Sequence, residues 1–325
     1  MMAIWSTIKN LMYGLLVRSR LMYYILPRLL PILAKHFIDL TKLGNHYVTD
    51  ESGHKIKVTQ CNGQIYPVVD VSKVLSIPHI TIRKDDVLLC SYPKSGCHWV
   101  YEILHMMLNK HLRLTCSGKE FEGGIDVMPD ILLDSLPSPR VLNSHLCYPE
   151  LPVGIKEHKT KIILLVRNPK DTVVSFYNHH ISQKGITGYD GNFCDYFKLF
   201  MDGKLEFGGY FDYILEWDSV MRSQCNNAIH LLTYENLKDN PVETIQQVAR
   251  FLNIELTDSF AVQILESCQF DKMKVQREKQ NNELVQFYRK GVKGDWRNWL
   301  TDEQSRSIDN MWKERMLHCF YQPQY

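Results

Sequence analysis

The chain lacks the cysteine spacing of a structural zinc site or of a disulfide-stapled fold. Its nine cysteines are an odd number at irregular intervals, and no C-x-x-C pair occurs. Paired cysteines of that kind supply zinc ligands, and regular even sets mark small disulfide frameworks. The sequence therefore predicts no metal site and reduced thiols in a reducing compartment. An internal repeat and a low-complexity tract are also missing, which favours an ordinary globular protein.

Long apolar runs are missing as well. Residues 1–33 are rich in Leu, Met, Ile and Tyr, but Lys9, Arg18, Arg20 and Arg28 divide them into uncharged runs of fewer than ten residues. A membrane-spanning helix needs about 20 residues. A secretory signal needs a clean apolar core before a small-residue cleavage site. Neither a signal anchor nor a secretory signal is predicted.

Three interpretations of this segment stay open. It could form a basic amphipathic helix on an anionic membrane surface. It could be a mitochondrial presequence, which would also be basic and poor in acids. It could instead be a helix packed on the protein's own domain and broken by Pro27 and Pro31. The predicted location is cytoplasmic, with membrane association through residues 1–45 and mitochondrial import as alternatives.

Outside residues 1–45, positive and negative charges nearly balance. Residues 1–45 hold six basic residues and one acid, a net charge of +5, whereas the whole chain carries only +2. The remainder is therefore slightly acidic, and a nucleic-acid-binding surface is not predicted there. This shift divides the chain into a basic N-terminal extension, 1–45, and one domain, 46–325, of ordinary size.

One loop of the domain has the features of an anion site. Residues Tyr92–Trp99 read YPKSGCHW and lie between an apolar run at 87–90 and an apolar helical pattern at 100–108. Free backbone N–H groups and the helix dipole favour an anion at such a helix start. Lys94 adds charge, Ser95 a hydroxyl donor, and Gly96 allows close approach. The loop lacks the G-x-x-x-x-G-K-[ST] spacing of triphosphate-binding loops.

The alternation of elements predicts the fold class. Helical patterns at 99–109, 171–182 and 241–252 alternate with strand-like runs at 87–92, 140–144, 162–166 and 229–233. Strands that alternate with helices favour right-handed crossovers and a buried parallel sheet. We therefore expect one α/β domain with a central parallel sheet flanked by helices.

Three further motifs accompany the loop. They read LLVRNPKDTVVS at 164–175, RKGVKGDW at 289–296 and VLNSHL at 141–146. Together, and in this order, the four motifs resemble those of the cytosolic sulfotransferase family over residues 46–320. The resemblance implies a P-loop-like α/β fold related to nucleotide kinases. It also implies an enzyme that moves a sulfuryl group from 3′-phosphoadenosine 5′-phosphosulfate (PAPS), without a metal, to a phenol, sterol, alcohol or amine.

The resemblance assigns the donor-binding residues. The phosphosulfate end would lie on Lys94, Ser95, Gly96, Cys97 and His98. The 3′-phosphate would lie on Arg167, Ser175, Arg289, Lys290 and Gly291, and the adenine on Trp99, Tyr234 and Phe270. Arginine makes planar, multidentate phosphate contacts. The family's loop usually carries two hydroxyl or amide residues where this chain has Cys97 and His98, so one hydroxyl contact is lost.

His145 is predicted to be the general base. It follows a strand, at the sheet edge where α/β active sites usually lie, and histidine can take a hydroxyl proton near neutral pH. Lys94 would stabilise charge on the leaving phosphate. The family commonly has a Lys two residues before this base, and this chain has Asn143.

The acceptor and the oligomeric state are not fixed by the sequence. The family walls its acceptor pocket with variable loops, here predicted at 119–132, 181–197 and 274–288, the last of these as a lid. A dimer motif of the family falls near Thr301, which matches, but Asp302 and Arg306 differ, so homodimer formation stays open. Two alternatives to the enzyme also stay open, namely a catalytically degenerate nucleotide-binding protein and a P-loop-like kinase.

Overall fold

The computed structural model describes residues 46–115, 123–223, 225–279 and 289–323. The predicted extension, 1–45, and most of the predicted lid, 280–288, lie outside these residues. The division of the chain at residue 45 therefore stays a prediction.

The described chain begins with a small antiparallel sheet, which the sequence analysis did not predict. Its strands are β1 (His46–Thr49), β2 (Lys55–Cys61) and β3 (Gln64–Tyr66), in the order β1-β2-β3. In β2 the side chains of Ile56 and Val58 are buried, whereas Lys55 is exposed, which is the alternation of a half-buried strand. The strands are only three to seven residues long, so their pattern is weak.

The main sheet is parallel throughout and has the order β5-β4-β6-β7. Its strands are β4 (Val87–Ser91), β5 (Val141–Ser144), β6 (Lys161–Val166) and β7 (Ile229–Thr233). Every residue of β4 is buried, as are the last five of β6. A strand covered by helices on both faces has this continuous apolar character. The predicted fold class is confirmed, and each strand lies within one residue of its predicted bounds.

Helices surround this sheet. They are α1 (Val71–Ser76), α2 (Cys97–Asn109), α3 (Asp130–Ser135), α4 (Val153–Glu157), α5 (Pro169–Ser182), α6 (Lys184–Thr187), α7 (Phe193–Met201), α8 (Tyr210–Arg222), α9 (Tyr234–Asp239), α10 (Pro241–Leu252), α11 (Asp258–Ser267), α12 (Phe270–Lys279) and α13 (Asp302–Arg315). The helices predicted at 99–109, 171–182 and 241–252 are α2, α5 and α10.

A buried ion pair fixes the start of two neighbouring strands. Arg140, just before β5, donates to both carboxylate oxygens of Asp86, just before β4, at 2.8 and 2.6 Å. Both side chains are fully buried. Loss of one partner from such a pair leaves an uncompensated buried charge. The pair therefore holds the amino ends of β4 and β5 in register, and with them the loops at their carboxyl ends.

Candidate active site

The loop between β4 and α2 contains two residues with a left-handed backbone conformation. Lys94 has φ 67°, and Gly96, the N-cap of α2, has φ 104°. A Cβ atom on Gly96 would lie 2.8 Å from the ring of Tyr234. Gly96 is therefore required twice, by its left-handed backbone and by the close packing of Tyr234.

Two buried hydroxyl groups in this region lack a hydrogen-bond partner. Ser95 and Ser91 are both fully buried, and within the described chain neither Oγ atom has a partner. Buried hydroxyl groups without partners are rare because desolvation of the group is costly. An anionic ligand at the start of α2 fits the Ser95 hydroxyl.

Arg167 joins the loop to the C-terminal motif. It follows β6, and its guanidinium donates to the carbonyls of Lys94 and Val292, each at 3.1 Å. The guanidinium carbon lies 4.3 Å from the ring centre of Tyr234. Its Nε is buried and has no partner in the part of the chain that the structure describes. Arg167 thus connects two of the segments predicted to bind the nucleotide. Its Nε–H is the hydrogen-bond donor that a bound ligand could use.

The turn after residue 289 is anchored to the start of α5. The carboxylate of Asp171 accepts hydrogen bonds from the backbone N–H of Gly294 at 2.6 Å and of Trp296 at 3.0 Å. Gly291 has φ 66°, and a Cβ there would lie 2.3 Å from Phe270. The structure therefore brings together Phe270, the glycine turn and Arg167, as the motifs predict.

Two predicted phosphate ligands of this turn form ion pairs within it. Arg289 and Lys290 lie 2.6 and 2.7 Å from the carboxylate of Asp295, which is almost fully buried. Burial raises the pKa of Asp295, but hydrogen bonds from Lys290, Asn298 and Arg289 outweigh it and hold the pKa well below its usual range. Asp295 therefore carries a negative charge. This charge offsets part of the positive charge of Arg289 and Lys290, which are predicted to bind the 3′-phosphate.

Two of the aromatic residues predicted for the adenine are in contact. The rings of Trp99 and Tyr234 meet edge to face, with centroids 5.8 Å apart. Phe270 packs on Gly291. Sequence reasoning missed Lys238, whose Nζ lies 4.4 Å from the ring centre of Trp99. The sequence does contain a signal for Lys238: it follows Tyr234 by four residues, which places both side chains on one face of α9.

His145 is held in a defined orientation just after β5. Its Nδ1 lies 2.7 Å from the carbonyl oxygen of Ser91, so Nδ1 carries the proton and donates. Its backbone N–H donates to Asp126 at 2.6 Å, and Ser144 donates to the other oxygen of that carboxylate at 2.7 Å. Proton transfer at this ring would therefore use the other nitrogen, Nε2. Asp126 lies in a loop without a recognisable motif and was not predicted.

The neighbours of His145 raise its basicity. Burial lowers the pKa of His145, but its hydrogen bond with the Cys97 side chain and the charge of Asp126 outweigh burial and raise the pKa to about 9. Burial has the opposite effect on its partner and raises the pKa of Asp126 above its usual range. His145 and Cys97 therefore form one coupled pair at the start of α2.

A second histidine, His179, lies beside Lys94 and was not predicted from the sequence. His179 of α5 has its Nδ1 3.3 Å from the Nζ of Lys94. Burial and the positive charge of Lys94 lower its pKa well below the usual range, so it is neutral at pH 7. His179 follows the predicted ligand Ser175 by four residues, a spacing that places both on one helix face.

The loop before α8 covers His145 from the other side. The ring of Phe207 lies 5.2 Å from that of His145 and 6.1 Å from that of Tyr66 in β3. Phe207 has φ 64°, and its N–H donates to the carbonyl of Ile65 at 2.7 Å. This aromatic wall was not among the predicted acceptor loops, because its contacts come from the unpredicted antiparallel sheet.

Two predicted residues stay without a defined role in this geometry. His98 is the second residue of α2 and Ser175 lies in the second turn of α5, and both side chains are half-buried.

Across the described ranges, no group of three or more His, Cys, Asp or Glu residues is arranged to hold a metal ion. In the same ranges no helix is both long and apolar enough to cross a membrane.

Comparison with known proteins identifies the family. The sulfotransferase domain matches residues 84–320. Sulfotransferase 6B1 of Mus musculus is 31% identical over 278 residues, which cover 84% of this chain and 87% of that protein. The Homo sapiens protein of the same name is 31% identical over 274 residues, 83% of this chain and 86% of that protein.

Solved structures agree with the sequence relatives. Mouse sulfotransferase SULT7A1 complexed with PAP is similar with a TM-score of 0.69 and 29% identity, covering 80% of this chain and 94% of that chain. Retinol dehydratase in complex with androsterone and inactive cofactor PAP has a TM-score of 0.67 at 19% identity, over 85% of this chain and 91% of that one, and so shares the fold. The chain therefore belongs to the cytosolic sulfotransferase family of enzymes, as its four motifs indicated.

Proposed function

We propose that this protein moves the sulfuryl group of PAPS to a hydroxyl or amine group of a small, apolar acceptor, with His145 as general base. One observation carries the proposal. The Nδ1 of His145 is tied at 2.7 Å to Ser91, the last residue of the strand that leads into the anion loop. This bond supports the proposal because it leaves Nε2 as the proton-accepting nitrogen and ties the imidazole to the strand that precedes the predicted donor loop.

The residues present fit a donor with two anionic ends. The Ser95 hydroxyl, which has no partner among the residues that the structure describes, and the start of α2 suit the phosphosulfate end. The Nε of Arg167, also without a partner among those residues, suits the 3′-phosphate. The relative with 29% identity is described as complexed with PAP, the desulfated donor. This supports PAPS over a nucleoside triphosphate, and the missing triphosphate loop argues against the kinase alternative.

The protein's own groups supply proton transfer and charge stabilisation. When bound, the donor would supply a sulfuryl group and a phosphate leaving group. His145 takes the acceptor's proton on Nε2, because Nδ1 is already committed to Ser91. Lys94 stabilises the charge that develops on the leaving oxygen. His179, neutral and 3.3 Å from Lys94, orients that ammonium through its Nδ1 lone pair.

The walls around His145 favour an apolar acceptor. Phe207 and Tyr66 present aromatic surface next to the imidazole. Such surface binds a ring or hydrocarbon mainly by removing it from water. A phenol, sterol or apolar alcohol or amine therefore fits better than a charged sugar.

The test combines turnover with nucleotide binding. Purified protein would be assayed with PAPS and a panel of phenols, sterols, alcohols and amines, beside His145→Ala. We expect turnover in the wild type and a loss of about 100-fold or more in the variant, with unchanged affinity for 3′-phosphoadenosine 5′-phosphate. The exposed His158 provides the control, and His158→Ala should retain activity. Equal turnover in wild type and His145→Ala would reject His145 as the base.

A second candidate is a nucleotide-binding protein without useful turnover. Asn143 supplies no charge where the family usually has Lys, and the raised pKa of His145, about 9, leaves it mostly protonated at pH 7. Tight binding of 3′-phosphoadenosine 5′-phosphate with no transfer to any acceptor would favour this candidate.

A further inference from the structure

Helix α9 carries a lysine whose charge is not paired within the described chain. Lys238 is half-buried. Its Nζ atom lies 4.4 Å from the ring centre of Trp99 and 5.7 Å from that of Tyr234. Among the residues that the structure describes, it forms neither an ion pair nor a hydrogen bond. The protein therefore holds this ammonium by packing it against aromatic rings.

A second cation lies against the same tyrosine. The guanidinium carbon of Arg167 is 4.3 Å from the ring centre of Tyr234. Burial and the positive charge of Arg167 both lower the pKa of Lys238, and a nearby like charge has this effect because it disfavours the charged form. An anion bound to both side chains would offset their repulsion.

The two carboxylates of α9 form other contacts. Asp239 pairs with Lys293 of the C-terminal turn. Glu235 accepts a hydrogen bond from the backbone N–H of Asn168 at 2.9 Å. These contacts tie α9 to the end of β6 and to the glycine turn, which are the two segments predicted to bind the 3′-phosphate. They therefore hold Lys238 beside that predicted site without neutralising it.

The positive charge available at the predicted 3′-phosphate site is smaller than its motif suggests. A phosphate monoester carries about 1.5 to 2 negative charges at pH 7. Arg289 and Lys290 share the single carboxylate of Asp295, so these three side chains together contribute one positive charge instead of two. The unpaired charge of Lys238, next to that of Arg167, replaces the charge that Asp295 removes.

We propose that Lys238 binds the 3′-phosphate of the nucleotide together with Arg167 and determines specificity for it. Lys238 selects a nucleotide that is phosphorylated at both the 3′ and the 5′ position over one with a 5′-phosphate alone. Lysine contacts phosphate as a point charge, so it complements the planar contacts of a guanidinium. This assignment rests on the proposed function, because a donor other than PAPS would present no 3′-phosphate.

The experiment compares two ligands that differ by one phosphate. Calorimetric titration of the full-length protein would give the affinities for 3′-phosphoadenosine 5′-phosphate and, by competition, for adenosine 5′-monophosphate. Lys238→Met keeps an unbranched apolar chain against Trp99 and removes the charge. It should weaken binding of the bisphosphate at least about tenfold and that of the monophosphate less than about twofold. Lys238→Arg keeps the charge and should bind both ligands within about threefold of the wild type.

The matched control is Lys156→Met. The ammonium of Lys156 also lies on an aromatic ring, 5.0 Å from the centre of Tyr148, but it belongs to α4. This variant should bind both nucleotides as the wild type does. Its result separates the loss of a cation at the nucleotide site from the loss of a cation–aromatic contact in general.

Three outcomes would overturn the proposal. Equal losses for the two nucleotides in Lys238→Met would show that Lys238 does not recognise the 3′-phosphate. Unchanged affinities in that variant, with a wild type that prefers the bisphosphate, would reject Lys238 and leave the proposed function standing. A wild type that binds the two nucleotides equally would count against PAPS as the donor and against the role of Lys238 together.

Discussion

At the residue scale, the coupling of His145 to Cys97 sets the pH at which the base works. The pKa of His145 is raised to about 9, in part by the Cys97 side chain. The base must be deprotonated, so kcat/KM should rise about tenfold per pH unit below that value and level off above it. Cys97→Ser should move the bend toward acid. A pH–rate profile of both proteins checks this, with Cys194→Ser as the control, and a bend near pH 6.5 in the wild type would contradict it.

Asn143 is the other residue whose identity bears on the rate. It lies two residues before His145, where a cation would stabilise charge on the transferred group. Asn143→Lys should raise kcat and, by repulsion, lower the pKa of His145. Asn143→Gln retains the amide without adding charge and is the matched control. A fall in kcat in the Lys variant alone would show that Asn143 is fitted to the acceptor.

At the scale of elements, the turn into α2 depends on Gly96 for two separable reasons. Gly96 and Gly53 both have positive φ, 104° and 90°, but a Cβ on Gly53 meets nothing within 4 Å, whereas one on Gly96 meets Tyr234 at 2.8 Å. Each change to Ala should cost about 1–2 kcal/mol of stability for the left-handed backbone. Gly96→Ala should lose about 1–3 kcal/mol more from overpacking.

Nucleotide affinity distinguishes the two glycines further. Gly96→Ala displaces Tyr234, on which Arg167 stacks, so its affinity for 3′-phosphoadenosine 5′-phosphate should fall by about tenfold or more. Gly53→Ala should bind as the wild type does. Urea unfolding and calorimetric titration measure both effects, and equal losses of affinity in the two variants would argue against a donor site at this turn.

At the scale of the whole molecule, a half-buried histidine links stability to pH. Burial lowers the pKa of His230, whose ring packs 5.2 Å from that of Phe251. A base with a lowered folded-state pKa stays neutral in the fold, while the unfolded chain takes up the proton below about pH 6.5. Its contribution to stability is therefore present above that pH and is lost as pH falls.

The variant His230→Phe separates the effect of His230 on stability from the effects of other titratable groups. Buried carboxyl groups with raised pKa values, such as Asp126 and Glu150, change stability with the opposite sign. His230→Phe should gain stability relative to the wild type as pH falls from 7 to 5, as measured by urea unfolding at each pH. The control is His158→Phe at an exposed position. A difference that stays constant with pH would refute the assignment.

Much of the candidate site could be predicted from the sequence because its parts are local. A strand, a Lys-Ser-Gly turn and a helix start predict an anion loop within eight residues, and the motifs around Arg167 and Gly291 are similarly compact. The parallel sheet followed for the same reason, since continuous apolar runs such as β4 and β6 mark buried strands. These features depend on backbone chemistry and periodicity, which a sequence carries directly.

The tertiary structure decided what depends on contacts between distant segments. The Cys97–His145 pair, the support of His145 by Asp126, the approach of His179 to Lys94 and the wall formed by Phe207 join residues from different elements. No local pattern encodes such contacts, because they depend on the order and register of strands and on the crossovers between them. The sequence alone determined the fold and the family, whereas packing between elements determined the basicity of His145 and the setting of Cys97.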